Sequence, residues 1–515
     1  MLEIAQKDIV ARLKFDNPWW AAGRTSKIAF EATPRRKYFE SFQKKIIDVT
    51  VRRAVVLMGP RRVGKTVMVY HSVRALLDSG VRANQILYVS LETPIYTGLS
   101  LEKILEYFQT LFSHKRTSHL FVFFDEIQYL RDWEVHLKSL VDSYADYRFI
   151  ATGSAAAALR LKSNESGAGR FSDYVLPPLT FAEYLEFIDK KNELVEKSQL
   201  EHPDPESFNF VAKDVKKLNE EFINYLNYGG YPEAVFSAAI RQDPGQYIKS
   251  DIIDKVLLRD LPSLYGINDI QELNRLFTTL AYNTGNEVNL EGLSQSSGVA
   301  KNTIRRYLEY LEAAFLIRRV ERIDQNAKRF KRATHFKVYL TNPSMRAALF
   351  GQIDASSEAM GALTETAIFS QWQHSKITAL YYARWNSGEV DIVCLDKVDQ
   401  KPAWAVEVKW TDRPYKSRGE LNNCVEFVEK NPQLTQPFLV TSRTISDDNV
   451  VYKNVAFRFF PASLYAYMLG ANLLENIEAE HMPSSAVKPV SRKAVSTLSS
   501  RLRPSIKVKA KKPFV

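Results

Sequence analysis

The chain has 515 residues, 45% of them hydrophobic, a formal net charge of +11 and two cysteines, Cys394 and Cys424. This composition predicts about three or four globular domains and excludes a disulfide framework or a cysteine-based zinc site, which fits a soluble protein of the reducing cytoplasm. Neither a signal peptide nor a membrane span is expected, because the first twenty residues include Glu3, Asp8 and Asp16 and no apolar run approaches the roughly 18 residues that span a bilayer.

The first predicted elements surround a phosphate-binding loop. Residues 55–58 form an apolar run typical of a buried strand, and residues 67–77 carry apolar side chains at helical spacing. The segment between them satisfies G-x-x-x-x-G-K-[ST] and reads Gly59-Pro60-Arg61-Arg62-Val63-Gly64-Lys65-Thr66. The amides of such a loop and the following helix N-terminus bind phosphate, Lys65 reaches the β- and γ-phosphates, and Thr66 completes the shell of Mg²⁺. These residues predict a site for ATP and Mg²⁺. Arg61 and Arg62 contact either phosphate or an acidic interface.

Two further apolar runs supply partners for that site. Residues 120–124 precede Asp125 and Glu126, as in a parallel strand whose carboxyl end opens on a ligand crevice. Asp125 is expected to hold Mg²⁺ through water, and Glu126 to act as the general base for the attacking water. The next run ends at Thr152 and Ser154, which could hydrogen-bond the γ-phosphate or the water. Ser154 could equally cap a helix.

Arg170 is a candidate arginine finger. It follows Gly167-Ala168-Gly169, and a guanidinium on such a segment can reach the charge that develops during phosphoryl transfer. If Arg170 acts on the nucleotide of a neighbouring copy, the protein must form an oligomer.

Residues 270–320 have helix-turn-helix spacing. A short helix ending at Gly298 is followed by a second helix whose first residues include Lys301, Asn302, Thr303, Arg305 and Arg306. Such residues contact DNA, face water or belong to a module that recruits a protein partner, and the sequence leaves all three open.

The next unit carries a carboxylate pattern. Glu365 lies in a predicted helix, and Asp391 and Glu407 lie on alternating strands expected to pair. Lys409 projects from the same strand face as Glu407. Carboxylates in this layout can hold Mg²⁺ or Mn²⁺ for hydrolysis of a phosphodiester, with Lys409 orienting the nucleophile or steadying charge. We therefore predict Glu365, Asp391 and Glu407 as metal ligands, and Asp391, Glu407 and Lys409 as catalytic residues. Retained cleavage activity is a separate question.

The chain resembles prokaryotic AAA-type P-loop ATPases that carry a C-terminal domain of unknown function similar to restriction endonucleases. The resemblance spans residues 17–469 and includes Asp125-Glu126-Ile127-Gln128, Thr152-Gly153-Ser154, Gly169-Arg170 and the phosphate loop. It also includes Asn17-Pro18-Trp19-Trp20, Arg35-Arg36-Lys37-Tyr38-Phe39, residues 178–185, Gly229-Gly230-Tyr231-Pro232-Glu233 and residues 254–260. It implies an ATPase core, a winged-helix-like connector and a Glu-Asp-Glu-x-Lys domain.

The C-terminal tail departs from that pattern. From His481 onward it holds nine of the 70 Lys and Arg residues and none of the 59 acids, so the rest of the chain is near neutral. Its Ser, Pro and Lys content cannot form a core, and we expect a disordered basic arm. Contact with nucleic acid, solubility and contact with an acidic partner are its candidate roles.

The predicted fold class is α/β. The predicted domains are an N-terminal extension at 1–40, an AAA-type core with a parallel sheet at 41–190, a helical lid at 191–269, a winged-helix-like domain at 270–335, an α/β restriction-endonuclease-like domain at 336–470 and the tail at 471–515. The predicted function is ATP hydrolysis linked to an action on DNA. Metal-dependent nuclease activity of the C-terminal domain is part of this hypothesis. The alternative is a nucleotide-dependent switch whose C-terminal half only binds protein partners.

Overall fold

The computed structural model describes residues 5–153, 169–198, 210–330, 335–375, 379–446 and 448–479. Within these ranges, none of the helices combines the length and the apolar character that crossing a bilayer requires. Ser154, predicted to bind the γ-phosphate, and residues 480–515 of the basic tail lie outside the described residues.

The amino-terminal half contains a five-stranded parallel sheet. Its strands, in the order β2-β3-β4-β1-β5, are β1 (Ala54–Met58), β2 (Ile86–Ser90), β3 (Leu120–Asp125), β4 (Tyr147–Gly153) and β5 (Phe171–Val175). The three central strands are almost wholly buried, and helices on the two faces explain why they read as continuous apolar runs. Because all five strands are parallel, the phosphate loop, Asp125 and Thr152 lie at the same edge of the sheet.

The predicted N-terminal extension belongs to this core. The side chain of Asn17 accepts a hydrogen bond from Tyr88 N (2.6 Å) and donates to Tyr88 O (2.9 Å), and Trp19 Nε1 donates to Ile86 O (3.1 Å). Because β2 is an edge strand, one side of it has backbone N–H and C=O groups without a neighbouring strand. These contacts provide hydrogen-bond partners for some of those groups. Among its described residues, the amino-terminal half has helices at Gln6–Asp16, Trp19–Ala22, Phe39–Ile47, Lys65–Asp78, Leu101–Phe112 and Trp133–Ser143, with 3₁₀ turns at Gly23–Thr25, Ala83–Gln85, Pro94–Tyr96 and Ile127–Tyr129.

A helical region follows the sheet. A two-stranded antiparallel sheet, β6 (Val195–Lys197) with β7 (Phe210–Ala212), lies within it. Its helices are Phe181–Phe187, Lys191–Leu194, Val215–Tyr228, Pro232–Phe236, Ala238–Gln242, Pro244–Ile248, Leu261–Tyr265 and Ile270–Tyr282, and π-helical turns occur at Lys249–Asp254 and Val256–Asp260.

One nine-stranded sheet spans the carboxyl-terminal half. Its order is β15-β16-β14-β13-β12-β11-β9-β10-β8. The strands are β8 (Glu287–Asn289), β9 (Ile317–Ile323), β10 (His335–Leu340), β11 (Leu380–Arg384), β12 (Glu389–Leu395), β13 (Pro402–Glu407), β14 (Phe438–Ser442), β15 (Asp448–Tyr452) and β16 (Val455–Pro461). The helices are Leu290–Ser297, Lys301–Ala313, Ser344–Phe350, Met360–Gln371, Arg413–Lys416, Asn422–Lys430 and Ala462–Ala479, with 3₁₀ turns at Trp372–His374 and Arg418–Leu421.

Two boundaries differ from those expected. The division predicted between 335 and 336 falls inside the continuous sheet, because β9 pairs in parallel with β11 through Tyr382 and Arg322. The local hydrophobic pattern does not show which strand edges pair across more than fifty residues. The tail predicted from residue 471 begins as the last two turns of the helix Ala462–Ala479, which packs against the helices Phe181–Phe187 and Met360–Gln371.

Candidate functional site

The phosphate loop joins β1 to the helix Lys65–Asp78. Gly64 has a φ of +96°, a conformation that suits glycine, and a Cβ on Gly59 would lie 2.2 Å from the carbonyl oxygen of Leu176. Lys65 Nζ is buried and donates to Gly59 O (3.1 Å) and Pro60 O (2.8 Å), and burial lowers its pKa. The loop amides and the start of a 14-residue helix therefore share one edge of the sheet, which is the layout that binds phosphate.

Gly59→Ala is expected to weaken ATP binding by about tenfold or more, because either the loop or the Leu176 carbonyl must move to accommodate the added methyl group. Calorimetric titration with Mg²⁺-ATP measures the affinity. Gly361→Ala is the matched control, since a Cβ there meets nothing within 4 Å and Gly361 lies in the helix Met360–Gln371. Unchanged affinity in Gly59→Ala would contradict the role given to this close approach.

Asp125 gathers three hydroxyl groups. Thr66 Oγ1 and Tyr88 OH each donate to Asp125 Oδ2 at 2.9 Å, and Thr152 Oγ1 donates to Asp125 Oδ1. Thr66, Asp125 and Thr152 were predicted to lie near the nucleotide, and the structure brings them together. Tyr88 was not predicted, because nothing in its local sequence indicates that β2 lies beside β3. Hydroxyl and carboxylate oxygens grouped in this way are the type of ligand that Mg²⁺ prefers.

Glu126 turns away from the strand at a φ of 54°. Its backbone N–H donates to Thr152 Oγ1 (3.0 Å), and Gln128 Nε2 donates to its carboxylate. Burial raises the pKa of Glu126 and the neighbouring Asp125 adds to the effect, while Lys65 opposes it. A carboxylate with a raised pKa at this edge suits a general base.

Arg170 lies at the other end of the parallel strands, where their amino ends meet. Its carbonyl accepts a hydrogen bond from Ala54 N (2.9 Å) at the amino end of β1, and its Nε donates to Asp142 Oδ1 (2.5 Å). A five-residue strand separates the two ends by roughly 15 Å. The prediction that Arg170 contacts the nucleotide is wrong for its own chain, and contact with the nucleotide of a neighbouring copy stays a prediction.

The two arginines of the phosphate loop contact an acidic surface. Arg61 makes two hydrogen bonds of 2.7 Å to the carboxylate of Asp260, with side-chain exposures of 11% and 6%, respectively. Arg62 donates to Glu233 Oε2 (2.9 Å) and Asp251 Oδ2 (2.6 Å). The structure shows the acidic interface, and contact of these arginines with phosphate stays a prediction. This interface ties the loop to the helical region.

A buried ion pair supports the loop from behind. Arg36 Nη1 donates to Val63 O (2.9 Å), and Nε and Nη2 donate to the two carboxylate oxygens of Glu183 (2.8 and 3.0 Å). Burial would raise the pKa of Glu183, but Arg36 outweighs it and holds the pKa below its ordinary value. Glu183 also closes a capping box with Thr180. Sequence reasoning noticed both segments through the resemblance, but it did not pair them.

Arg36→Met is expected to lower the free energy of unfolding by about 3–5 kcal/mol, because it leaves the Glu183 carboxylate buried without its partner. Urea unfolding followed by fluorescence measures the change. The neighbouring Arg35→Met should cost less than about 1 kcal/mol, since Arg35 is exposed and its nearest acid, Glu40, is 3.9 Å away. Equal losses in the two variants would contradict the assignment.

The second cluster assembles from one helix and two paired strands. Glu365 comes from the helix Met360–Gln371, and the pairing of Ile392 with Val406 places Asp391 beside Glu407. Asp391 Oδ2 accepts a hydrogen bond from Val408 N (2.9 Å). Lys409 Nζ lies 2.6 Å from Glu407 Oε1 and 3.5 Å from Asp391 Oδ2. The structure thus brings together the four residues that the sequence singled out.

Three residues of this cluster were missed. Lys337 Nζ lies 2.6 Å from Glu389 Oε1, 2.8 Å from Glu365 Oε1 and 3.3 Å from Asp391 Oδ1. Tyr339 OH donates to Glu365 Oε1 (2.5 Å). Lys337 and Tyr339 share one face of β10 by simple alternation, so a lysine on an otherwise buried strand was the available signal.

The cluster has more acid than base. Glu365, Glu389, Asp391 and Glu407 carry four negative charges when ionised, against three positive charges on Lys337, Lys409 and Arg384, whose Nη1 lies 3.2 Å from Glu389 Oε2. Burial raises the pKa of Glu365 and of Glu407 to about 7, and Asp391 adds to both shifts. Burial would also raise the pKa of Asp391, but Lys409 and Lys337 outweigh it and lower that pKa.

The arrangement of these carboxylates limits how a metal ion could bind. In the described part of the chain, no group of three or more His, Cys, Asp or Glu side chains is arranged to hold a metal ion. Glu365, Asp391 and Glu407 are therefore not arranged as the three ligands of one metal ion, as the sequence predicted. Lys337 instead forms an ion pair with Glu365. Glu407 Oε2 is nevertheless buried without a hydrogen-bond partner. Carboxylate oxygens of this kind fit Mg²⁺ or Mn²⁺ on the side of Asp391 and Glu407.

The parallel sheet, the phosphate loop and the hydroxyl groups around Asp125 have the layout of a P-loop nucleotide-binding domain. Residues 51–185 match the AAA domain family, inside the predicted range 41–190. The chain therefore carries an AAA domain, whose family binds nucleotide, typically with Mg²⁺. A second family, described as a domain of unknown function, matches residues 219–356. The similarity of the C-terminal sheet to restriction endonucleases stays a prediction.

The chain is similar to uncharacterized proteins of two prokaryotes. One from Haemophilus influenzae is 26% identical over 311 residues, which are 58% of the chain and 70% of that protein. One from Methanocaldococcus jannaschii is 23% identical over 359 residues, 67% of the chain and 73% of that protein. Among solved structures, AMPPCP-bound DnaA from Aquifex aeolicus has 13% identity and a TM-score of 0.26, with 54% of the chain and 86% of DnaA covered.

Proposed function

We propose that the chain couples ATP hydrolysis at the phosphate loop to an action on DNA by its carboxyl-terminal half, with metal-dependent strand cleavage at Asp391, Glu407 and Lys409. The observation that carries this proposal is the convergence of Glu365, Asp391, Glu407 and Lys409 from separate elements onto one buried cluster. Structural ion pairs alone do not need a surplus of acid or an unpartnered carboxylate oxygen.

In this proposal each site has assigned residues. Lys65 binds the β- and γ-phosphates, Thr66 and Asp125 hold Mg²⁺, and Glu126 takes the proton of the attacking water. At the second cluster, a bound divalent cation would polarise the phosphodiester and lower the pKa of a water. Asp391 and Glu407 hold that cation, and Lys409, which is the more exposed of the two lysines, faces the substrate.

Exposed basic side chains support contact with DNA. Lys301, Asn302, Arg305 and Arg306 are exposed at the start of the helix Lys301–Ala313, which follows the helix Leu290–Ser297 after a turn at Gly298. The same helix pair precedes β9 and β10, an order typical of a winged helix. The basic tail would add an attraction to phosphate that does not depend on base sequence.

A connected set of contacts supports coupling between the two sites. Arg36 joins Val63 of the phosphate loop to Glu183 on the helix Phe181–Phe187. The first residue of that helix, Phe181, donates its N–H to Gln371 Oε1 (3.0 Å). Gln371 ends the helix that carries Glu365. A shift of the phosphate loop on nucleotide binding therefore has a packed route to the carboxylate cluster.

One experiment tests this function directly. ATP hydrolysis is measured with and without DNA, in Mg²⁺ and then in Mn²⁺, and the DNA is examined for cuts. We expect DNA to change the rate of hydrolysis and expect cuts that need the metal. If DNA neither binds at low salt nor alters the rate, the proposal is wrong.

A nucleotide-dependent switch is the second candidate, and the Arg61–Asp260 pair favours it. Nucleotide phosphate would compete with Asp260 for Arg61. Loss of the Arg61–Asp260 contact would then change the packing of the helical region against the phosphate loop. This candidate predicts slow turnover that DNA does not alter, and a protein partner recovered in one nucleotide state only. The rates of ATP hydrolysis measured with and without DNA separate the two functions.

A further inference from the structure

Lys337 occupies a cation position inside the carboxylate cluster. Its side chain is 3% exposed, its ammonium group contacts Glu365, Glu389 and Asp391, and it lies 5.4 Å from the ring centroid of Tyr382. A lysine this deeply buried is stable only because several opposite charges surround it. We propose that the Lys337 ammonium takes the place of one metal ion, so that the cluster accepts a single divalent cation, held by Asp391 and Glu407. This inference rests on the metal site of the proposed function.

The geometry divides the cluster into two cation positions. Asp391 is shared between them, since its Oδ1 faces Lys337 (3.3 Å) and its Oδ2 faces Lys409 (3.5 Å). Sites with two metals use a shared carboxylate in the same way, with cations about 4 Å apart. Glu365 and Glu389 complete the position that Lys337 holds, and Glu407 completes the other.

The two lysines differ in how easily an incoming ion can displace them. Lys409 is 34% exposed, so its ammonium can swing toward solvent when a cation arrives. Lys337 has three carboxylates and almost no exposed surface, so leaving its position would strand the charge in the protein interior. A cation therefore enters beside Lys409.

Charge favours the same arrangement. Four carboxylates face three basic side chains, because Arg384 Nη1 also contacts Glu389 Oε2 (3.2 Å) beside the two lysines. Replacing Lys337 removes the ammonium group from Glu365 and from Asp391 Oδ1, so the second position becomes available to a cation.

Mn²⁺ titration of the nucleotide-free full chain, read by electron paramagnetic resonance, tests the inference without any measurement of activity. Asp391→Asn serves as the blank for Mn²⁺ bound elsewhere. We expect one Mn²⁺ more in the wild type than in the blank, with the signal of an isolated ion. Lys337→Met should bind two Mn²⁺ ions more than the blank, with a spin-coupled signal. Lys337→Gln repeats the test should the Met variant not fold.

Lys409→Met is the matched control, since it also removes one positive charge but leaves Lys337 in place, and it should bind one Mn²⁺ like the wild type. Two spin-coupled ions in the wild type, or one ion in a folded Lys337 variant, would overturn the inference while leaving the metal site intact. If the wild type and the blank bind equally, the metal site itself is wrong, and the inference falls with it.

Discussion

ATP turnover should fall about 100-fold or more when Lys65 is replaced by alanine. Lys65 is the buried cation at the phosphate loop, and its ammonium supports the loop through Gly59 O and Pro60 O. In the transition state it would stabilise the charge that develops on the transferred phosphate. Phosphate release at saturating Mg²⁺-ATP measures turnover, and calorimetry measures affinity, which should also fall.

Two controls separate this effect from general damage. Lys103→Ala removes an exposed lysine from the helix Leu101–Phe112 and should leave both quantities unchanged. Glu126→Gln keeps the shape of the side chain, so it should bind ATP normally while losing turnover if Glu126 is the general base. Turnover above a tenth of the wild-type rate in Lys65→Ala would contradict the nucleotide site.

Metal-dependent DNA cleavage should fall about 100-fold or more in Asp391→Asn, while ATP turnover without DNA stays at the wild-type rate. Asp391 is the carboxylate shared by both lysines, and asparagine removes its charge but keeps an oxygen that can accept the hydrogen bond from Val408 N. A supercoiled plasmid incubated with Mg²⁺ or Mn²⁺ reports single cuts as relaxed circles.

Asp396→Asn is the matched control for that experiment. Asp396 lies in the turn after β12, where its Oδ1 accepts a hydrogen bond from Val398 N (2.7 Å), a role that asparagine can keep. It should cut DNA like the wild type. If Asp391→Asn cuts as well as Asp396→Asn, any cleavage comes from another site or from a contaminant, and the nuclease assignment is wrong.

The features predicted best were those encoded in short stretches of chain. The phosphate loop, Asp125 after β3 and the strand alternation around Asp391 and Glu407 depend on local turns and on periods of a few residues, and the structure has them where expected. Parallel strands were recognisable because burial on both faces leaves continuous apolar runs.

Long-range partners were not predictable in the same way. Arg36 and Glu183 are 147 residues apart, and Arg61 and Asp260 are 199 apart, so no local pattern links either pair. Arg170 was misplaced because a glycine-containing segment indicates a turn but not the edge of the sheet at which it lies. Lys337 was missed because the pairing of β9 with both β10 and β11 brings it to the cluster.

By itself, then, the sequence determined the phosphate-binding chemistry, the general base candidate and the carboxylates of the second cluster, because loops and strand faces follow from local backbone preferences. Only the tertiary structure decided which charges meet: Arg61 with Asp260, and Lys337 with Glu365, Glu389 and Asp391. Those pairings depend on how distant segments pack, since the cost of burying a charge is met only by partners that the fold brings within a few ångströms.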